Sequence, residues 1–387
     1  MKPAPIYLDH AATTPVRDEV FEAMRPFFGP RFGNPSSMHR WGREARAALD
    51  EARERVGRCL GARPDEICFT SGGTEADNLA ILGVWRTARS SGRNAVVTTP
   101  VEHKAILGAV HQAACEGAEE RLLDVDGNGV VTSDSFDRQV REDVAICSVI
   151  WVNNETGVIQ PIPEFAGKAK AKGVAMHTDA VQAFGKAHID AASQTYDLLS
   201  ISGHKIGAPK GIGALFIRRG TPLQPLMHGG SQDRGRRPGT ENVAFAVGLA
   251  TAAELTIAEH EKESGRLRSM RDWLEAAILA RVPDAVVHGR GAPRAPHILN
   301  VSVPGTDSES LLMALDLQGI AASGGSACQS GGISPSHVLL AMGVRPDLAS
   351  AAIRMSLGSL TTDECANRVA EVFPALVVKA RQFATAG

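Results

Sequence analysis

Lys205 closes the tetrapeptide Ser202-Gly203-His204-Lys205, which follows Asp197 to Ser202, a run that reads as a strand. A lysine at a strand's carboxyl end, in a turn rich in Gly and Pro, could serve as a Schiff-base amine. The plainer alternative is a solvated surface lysine. Asp179 follows His177-Thr178 at the end of another strand-like run, and Gln182 comes three residues later. A carboxylate there could pair with a protonated ring nitrogen, or simply cap a helix. His103 follows Thr98-Thr99-Pro100-Val101-Glu102 and could stack on a ring or move protons. It could equally satisfy a local hydrogen bond.

Ser71-Gly72-Gly73-Thr74-Glu75-Ala76-Asp77 links a strand to a helix. The glycines let backbone N–H groups turn to a ligand, and a helix N-terminus favours a phosphate. Thr74 with Asp77 also fits a capping box. The motif is not a Walker loop, since no G-K-[ST] follows. Asn154, in Asn153-Asn154-Glu155-Thr156-Gly157, could orient a substrate carboxylate or a ring oxygen, or could be ordinary turn chemistry. Arg354 lies in the apolar run Ala352-Ile353-Arg354-Met355-Ser356 and needs an anionic partner. A bidentate substrate carboxylate and a structural Asp or Glu are equal choices. The basic stretch Asp233 to Thr240 could meet a phosphate or a neighbouring subunit, or be a solvated loop.

The six cysteines are Cys59, Cys68, Cys115, Cys147, Cys328 and Cys365. None forms a C-x-x-C pair, so no structural zinc or other metal site is expected. Six in 387 residues is no disulfide framework, and a reducing compartment fits better. Five lie in apolar or helical patterns, where a buried inert thiol is the default. Cys328 differs, because Ser323 to Gly332 reads as a mobile polar loop.

The elements that must position these residues alternate along the chain. Strands are expected at Ile67–Thr70, Ala95–Thr98, Ala145–Val152, Val174–Thr178, Asp197–Ser202 and Gly213–Ile217, between helices at Glu44–Leu60, Glu75–Ala88, Ala105–Cys115 and Pro163–Lys172. That pattern predicts an α/β fold, a mainly parallel sheet between helices. Ligands of such sheets bind beyond the strands' carboxyl ends, where the polar residues above cluster. A long helical stretch from about Asn242 to Ala280 leads to a smaller α/β unit. It has strands at His297–Val303 and Ile353–Leu357 and helices at Ser308–Leu317 and Thr362–Ala380. The reading divides the chain into a large unit, 15–255, and a small one, 1–14 with 256–387. At 387 residues and 43% hydrophobic the chain can bury a large core, and its net charge of −2 argues for neither a nucleic-acid groove nor an anionic membrane surface. Without a signal-peptide core or a membrane-length apolar run, a cytoplasmic protein is expected.

Taken in order, these segments resemble the cysteine desulfurases of the class V aminotransferase superfamily. The resemblance rests on Tyr7-Leu8-Asp9-His10-Ala11-Ala12-Thr13-Thr14, Thr70-Ser71-Gly72-Gly73-Thr74-Glu75, Val101-Glu102-His103-Lys104, Asn153-Asn154-Glu155-Thr156-Gly157, Asp179-Ala180-Val181-Gln182, Ser202-Gly203-His204-Lys205, Arg237-Pro238-Gly239-Thr240 and Gly325-Ser326-Ala327-Cys328. It implies a fold-type I transferase dependent on pyridoxal 5'-phosphate, acting as a homodimer. Lys205 would be the Schiff-base lysine. His103 would stack on the ring and move protons, Asp179 would pair with the ring nitrogen, and Gln182 with the ring hydroxyl. Gly73, Thr74, Ser202 and His204 would hold the phosphate, and Thr240 would reach the phosphate of the partner subunit. Asn154 and Arg354 would bind the carboxylate of L-cysteine, and Cys328 would accept its sulfur as a persulfide.

The stretch before Pro335-Ser336-His337-Val338 is similar to that of the long-loop subgroup, which hands sulfur to other proteins. Gly324-Gly325 stands where that subgroup has a serine before the glycine. The chain ends at Gly387, without the longer tail that helps housekeeping members dock an iron–sulfur scaffold. The acceptor could serve iron–sulfur assembly, tRNA thiolation or DNA phosphorothioation; Ile206 to Lys210 and Pro296 to Asn300 resemble members of the last group. Competing readings are a selenocysteine lyase or small-amino-acid aminotransferase, and a non-catalytic scaffold relative.

Overall fold

The structure is a computed structural model that describes residues 4–324 and 335–384; Cys328 lies outside the described residues. The strands are β1 (Ile6–Tyr7), β2 (Ile67–Thr70), β3 (Ala95–Thr98), β4 (Glu119–Leu122), β5 (Val144–Ser148), β6 (Ala175–Asp179), β7 (Leu198–Ser202), β8 (Gly213–Ile217), β9 (Val286–Val287), β10 (Ile298–Ser302), β11 (Ile320–Ala321) and β12 (Ala352–Ser356). The α-helices are α1 (Asp18–Met24), α2 (Arg40–Leu60), α3 (Gly73–Ala88), α4 (Lys104–Cys115), α5 (Ser133–Gln139), α6 (Ile162–Ala171), α7 (Val243–Ala258), α8 (His260–Arg281), α9 (Ser308–Asp316), α10 (His337–Ala341), α11 (Pro346–Ser350) and α12 (Asp363–Ala384).

Seven strands form the main sheet in the order β2-β8-β7-β6-β5-β3-β4. The ladders among β4, β3, β5, β6 and β7 are parallel, and β8 runs antiparallel to both its neighbours. The two-residue side-chain period divides each strand between two cores. Ile67 and Phe69, Ala95 and Val97, and Ala214 and Phe216 face one layer of helices. Cys68, Val96, Leu215 and Ile217 face the other, with Trp85 of α3. Both faces are therefore covered, which is why the strands read as unbroken apolar runs. Each fully buried large side chain such as Phe216 adds roughly 1.5–3 kcal/mol over its exposed state.

A separate apolar core joins Leu274 and Ile278 of α8, Leu299 and Val301 of β10, Ile353 and Met355 of β12 and Phe373 of α12. The N-terminal Ile6 and Leu8 belong to it, and β1 pairs in parallel with β11. The expected helical stretch from Asn242 to Ala280 is two helices, α7 and α8, bent by 69°. No Gly or Pro marks the break. The bend follows from packing instead: α7 is buried in the first core, while α8 turns to bring Leu267, Leu274 and Ile278 into the other. Among the described residues no single helix is long and apolar enough to cross a membrane.

Candidate active site

Because β2, β5, β6 and β7 point the same way, the loops leaving their carboxyl ends converge. Ten of the twelve expected site residues line one cavity of about 390 Å³: Gly73, Thr74, His103, Asn154, Asp179, Gln182, Ser202, His204, Lys205 and Arg354. Thr240 is exposed and lies outside this cavity. Cys328 lies outside the described residues.

Lys205 sits in a short 3-10 turn, Gly203–Lys205, directly after β7. It is half-buried, and not the solvated lysine of the plainer reading. Its Nζ donates to the carbonyl oxygens of Ala11 at 2.6 Å and Ala12 at 2.7 Å. Burial, reinforced by the Arg354 guanidinium and opposed by Asp179 and Asp9, brings its pKa down to about 8. A substantial neutral fraction therefore exists near physiological pH, as a nucleophilic amine requires.

Asp179, the last residue of β6, is 4% exposed. Its Oδ1 accepts from Val181 N–H at 2.8 Å, so it closes a local turn as well as facing the cavity. Burial raises its pKa, while His103, the Val181 amide and Lys205 act in the other direction. His103 precedes α4, and its Nδ1 accepts from Ala105 N–H at 3.2 Å, which leaves Nε2 as the free ring nitrogen. The ring is open to the cavity. Loss of solvation lowers its pKa; Asp179 opposes that and Lys205 adds to it.

At the glycine turn the capping box does not form. Helix α3 starts at Gly73, its N-cap is Gly72, and no side chain caps it. Thr74 lies inside the helix, and Asp77 is buried and turned inward, so the two do not form a capping box. The first N–H groups of α3 thus lack intrahelical acceptors beside the cavity, with the field of the helix behind them. A Cβ on Gly73 would come within 2.8 Å of the Val181 side chain, so the close approach of the two loops needs glycine.

Arg354 is 4% exposed and does have a structural carboxylate partner. Its Nη2 donates to Asp9 Oδ1 at 2.8 Å and its Nη1 to the carbonyl of Asn154 at 2.8 Å, while Nε has no partner. The Asn154 side-chain oxygen is likewise without a partner. Gln182 donates to the Ala11 carbonyl at 2.8 Å and its Oε1 lies 3.3 Å from His297 Nε2. His204 Nδ1 lies 3.2 Å from Thr13 Oγ1. The N-terminal segment thus ties together the lysine and histidine of the turn after β7 and the glutamine of the loop after β6.

Among the cavity residues to which the sequence reading gives no site role are Asp77, Glu102 and His337. Glu102 is fully buried, with Oε1 accepting from Thr99 Oγ1 and Ile150 N–H, both at 2.8 Å, and its pKa is pushed by burial to about 8. His337, at the start of α10, bonds through Nε2 to the Glu102 carbonyl at 3.0 Å. Spacing gave Asp77 a capping role and left the other two as polar neighbours of motif residues, and only tertiary contact brings all three to the cavity.

Two other expectations change. Cys115 is exposed, because α4 buries Ala105, Ile106, Ala109, Val110 and Ala113 and turns position 115 outward. The basic stretch from Asp233 is pinned at two points, while Arg234, Gly239 and Thr240 stay exposed. Asp233 is buried against Arg53 at 3.0 Å, and Arg237 pairs with Glu75 at 2.9 Å.

The chain matches the family described as aminotransferase class-V over residues 6–369. It is 45% identical over 376 residues to cysteine desulfurase IscS of Dictyoglomus turgidum, covering 97% of this chain and 95% of that one. The fold superposes on a NifS-like protein with a TM-score of 0.88 and 34% identity over 98% of this chain and 99% of the other. DndA from Streptomyces lividans gives 0.77 and 38% identity over 90% and 99%. A family match over nearly the whole chain, joined to a curated relative aligned across both lengths, means that this chain belongs to the cysteine desulfurases of the class-V aminotransferase family.

Proposed function

We propose that the protein is a cysteine desulfurase that converts L-cysteine to L-alanine with pyridoxal 5'-phosphate and passes the sulfur through Cys328 to an acceptor protein. The observation that carries this reading is the meeting of Lys205, Asp179, His103 and the uncapped start of α3 in one cavity.

The donor set fits that cofactor. It needs an amine with an accessible neutral form, an acid for its ring nitrogen, a group against its ring and an anion cradle. Lys205 would hold it covalently, Asp179 would face the ring nitrogen, Gln182 the ring hydroxyl, and His103 the ring face. Gly73, Thr74, Ser202 and His204 would hold the phosphate. When bound, the group supplies an electron sink for charge developing at the substrate α-carbon.

The remaining steps belong to the chain. Arg354 and Asn154 orient the substrate carboxylate, the guanidinium through an Nε–H that has no other partner and the amide through its NH2 group. Lys205, with its pKa near 8, accepts a proton at Nζ and returns it. His103 moves a proton at Nε2, the nitrogen left free by Ala105. The Cys328 thiolate attacks the substrate sulfur, the carbon–sulfur electrons remain with the alanine skeleton, and a persulfide results. Thr240, exposed on its own subunit, would act on the partner's phosphate in a homodimer. Exposed Phe28, Phe32, Met38 and Trp41 support a covered surface of that kind.

Purified protein supplied with L-cysteine and a thiol reductant should form alanine and sulfide in equal amounts. Cys328→Ser should lose sulfide release and keep the yellow colour; full sulfide release by that variant would refute the assigned acceptor.

A further inference from the structure

Asp77 has no part in the chemistry above, yet it lies beside the group that would face the cofactor ring. It projects from α3, is 1% exposed, and its Oδ1 has no hydrogen-bond partner. Donor atoms of Asp77, Asp179 and His103 lie within 4.8 Å of one another. Glu102 is a further acid acting on it.

No cation is assigned to Asp77. The nearest candidate is His177, whose Nε2 is 3.7 Å from Oδ1. That ring is fully buried between Ser148 Oγ, 2.8 Å from Nδ1, and Ser200 Oγ, 3.0 Å from Nε2. Burial pulls its pKa down to about 3, so it is neutral at working pH. The Lys205 amine is engaged by Ala11 and Ala12.

Two carboxyls excluded from water and this close cannot both stay ionised without a cation between them. The asymmetry of their surroundings says which keeps the charge. Asp179 accepts a backbone N–H from Val181 and feels His103 and Lys205, all of which favour its ionised form. Asp77 has burial first, then Asp179, raising its pKa, with the Ser200 hydroxyl a smaller opposing influence.

We propose that Asp77 remains protonated beside Asp179, so that the pair carries one negative charge, on Asp179. The proposal rests on the pyridoxal reading for its purpose. A neutral Asp77 spares Asp179 a second buried negative charge, so Asp179 can stay ionised against a ring cation. Asp77 itself touches neither ring nor substrate in this scheme.

The test is infrared spectroscopy of the full-length protein as isolated, in a Glu102→Gln background so that Glu102 does not contribute. Adding Asp77→Asn should remove one protonated-carboxyl C=O stretch at pH 7, a band that shifts in heavy water. The visible absorbance of bound cofactor should keep its titration midpoint to within about half a pH unit, since Asn replaces a neutral carboxyl by a neutral amide. A spectrum in which no such band is lost overturns the proposal, and so does a midpoint moved by about one pH unit or more, which would mean that Asp77 had carried a charge. Stoichiometric metal found by elemental analysis would also overturn it, since a cation held by Asp77, Asp179 and His103 would replace the proton. Should Asp77→Asn fail to fold, carbon-13 NMR of aspartate-labelled parent protein decides the same point by showing, or lacking, a protonated buried aspartate. Failure to bind pyridoxal phosphate at all would defeat the functional reading while leaving the infrared result on the proton intact.

Discussion

The amine of Lys205 is hydrogen-bonded to the main-chain oxygen of Ala11, 194 residues earlier in the chain, at 2.6 Å. The contact crosses from the main sheet to a segment whose neighbours Ile6 and Leu8 belong to the other core. The amine is thus oriented by backbone oxygens rather than by an acidic side chain. Lys205→Ala should reduce desulfurase turnover by about 10³-fold or more. Borohydride treatment followed by mass spectrometry should fix a pyridoxyl group on the parent protein and none on the variant.

Glu102 makes stability depend on pH in a defined window. Its carboxyl ionises near 4.5 when unfolded and at about 8 when buried in the fold. Between those values the folded chain binds more protons than the unfolded one, so stability falls as pH rises through the window and the loss is complete above pH 8. Glu102→Gln keeps an oxygen for Thr99 and Ile150 and has nothing to ionise. Urea unfolding at pH 5 and pH 9 should show the parent losing on the order of a few kcal/mol relative to the variant.

Arg354 is held from two sides, by Asp9 and by the Asn154 carbonyl. Arg354→Lys keeps the charge and loses the planar fork. It should raise KM for L-cysteine by roughly 10- to 100-fold with a smaller change in kcat, since a bidentate pair is what lysine cannot reproduce. Steady-state kinetics of alanine formation measures both.

Asp233 joins an ion pair to a strained backbone. It sits at φ 47°, bonds Arg53 at 3.0 Å and accepts the Phe69 N–H at 3.0 Å. Asp233→Ala should destabilise the fold by about 3–5 kcal/mol, because it strands a buried guanidinium. Asp233→Asn, which tolerates the left-handed conformation, should cost less. Denaturant midpoints of the two variants give the comparison.

Among the described cysteines, Cys115 is exposed while Cys68 and Cys147 are buried. Maleimide labelling of the native protein should modify Cys115 promptly and reach Cys68 and Cys147 only after unfolding, as peptide mapping would show.

Much of the frame was legible before any coordinates. The strands Ile67–Thr70, Ala95–Thr98 and Gly213–Ile217 have the limits that the apolar runs suggest. Their residues are buried on both faces, and burial on both faces is what produces such runs. Helix ends were less clear. The start of α2 at Arg40 depends on the His39 ring accepting Gly42 N–H, a cap that composition does not announce. The edge strand β4, Glu119–Leu122, with three of its four residues exposed, has no apolar run to betray it.

What the sequence by itself determined is the order and chemistry of the groups at the strand ends: lysine, acid, imidazole and glycine turn each follow a strand, and a parallel sheet must deliver them to one edge. What only the tertiary structure decided is how they meet and in which protonation state. Asp9 reaches Arg354 across 345 residues, Ala11 reaches Lys205, and Asp77 turns from a supposed cap into a buried neighbour of Asp179. Local spacing reports which face a residue takes, whereas charge, desolvation and protonation depend on groups brought near through space, and those have no period along the chain.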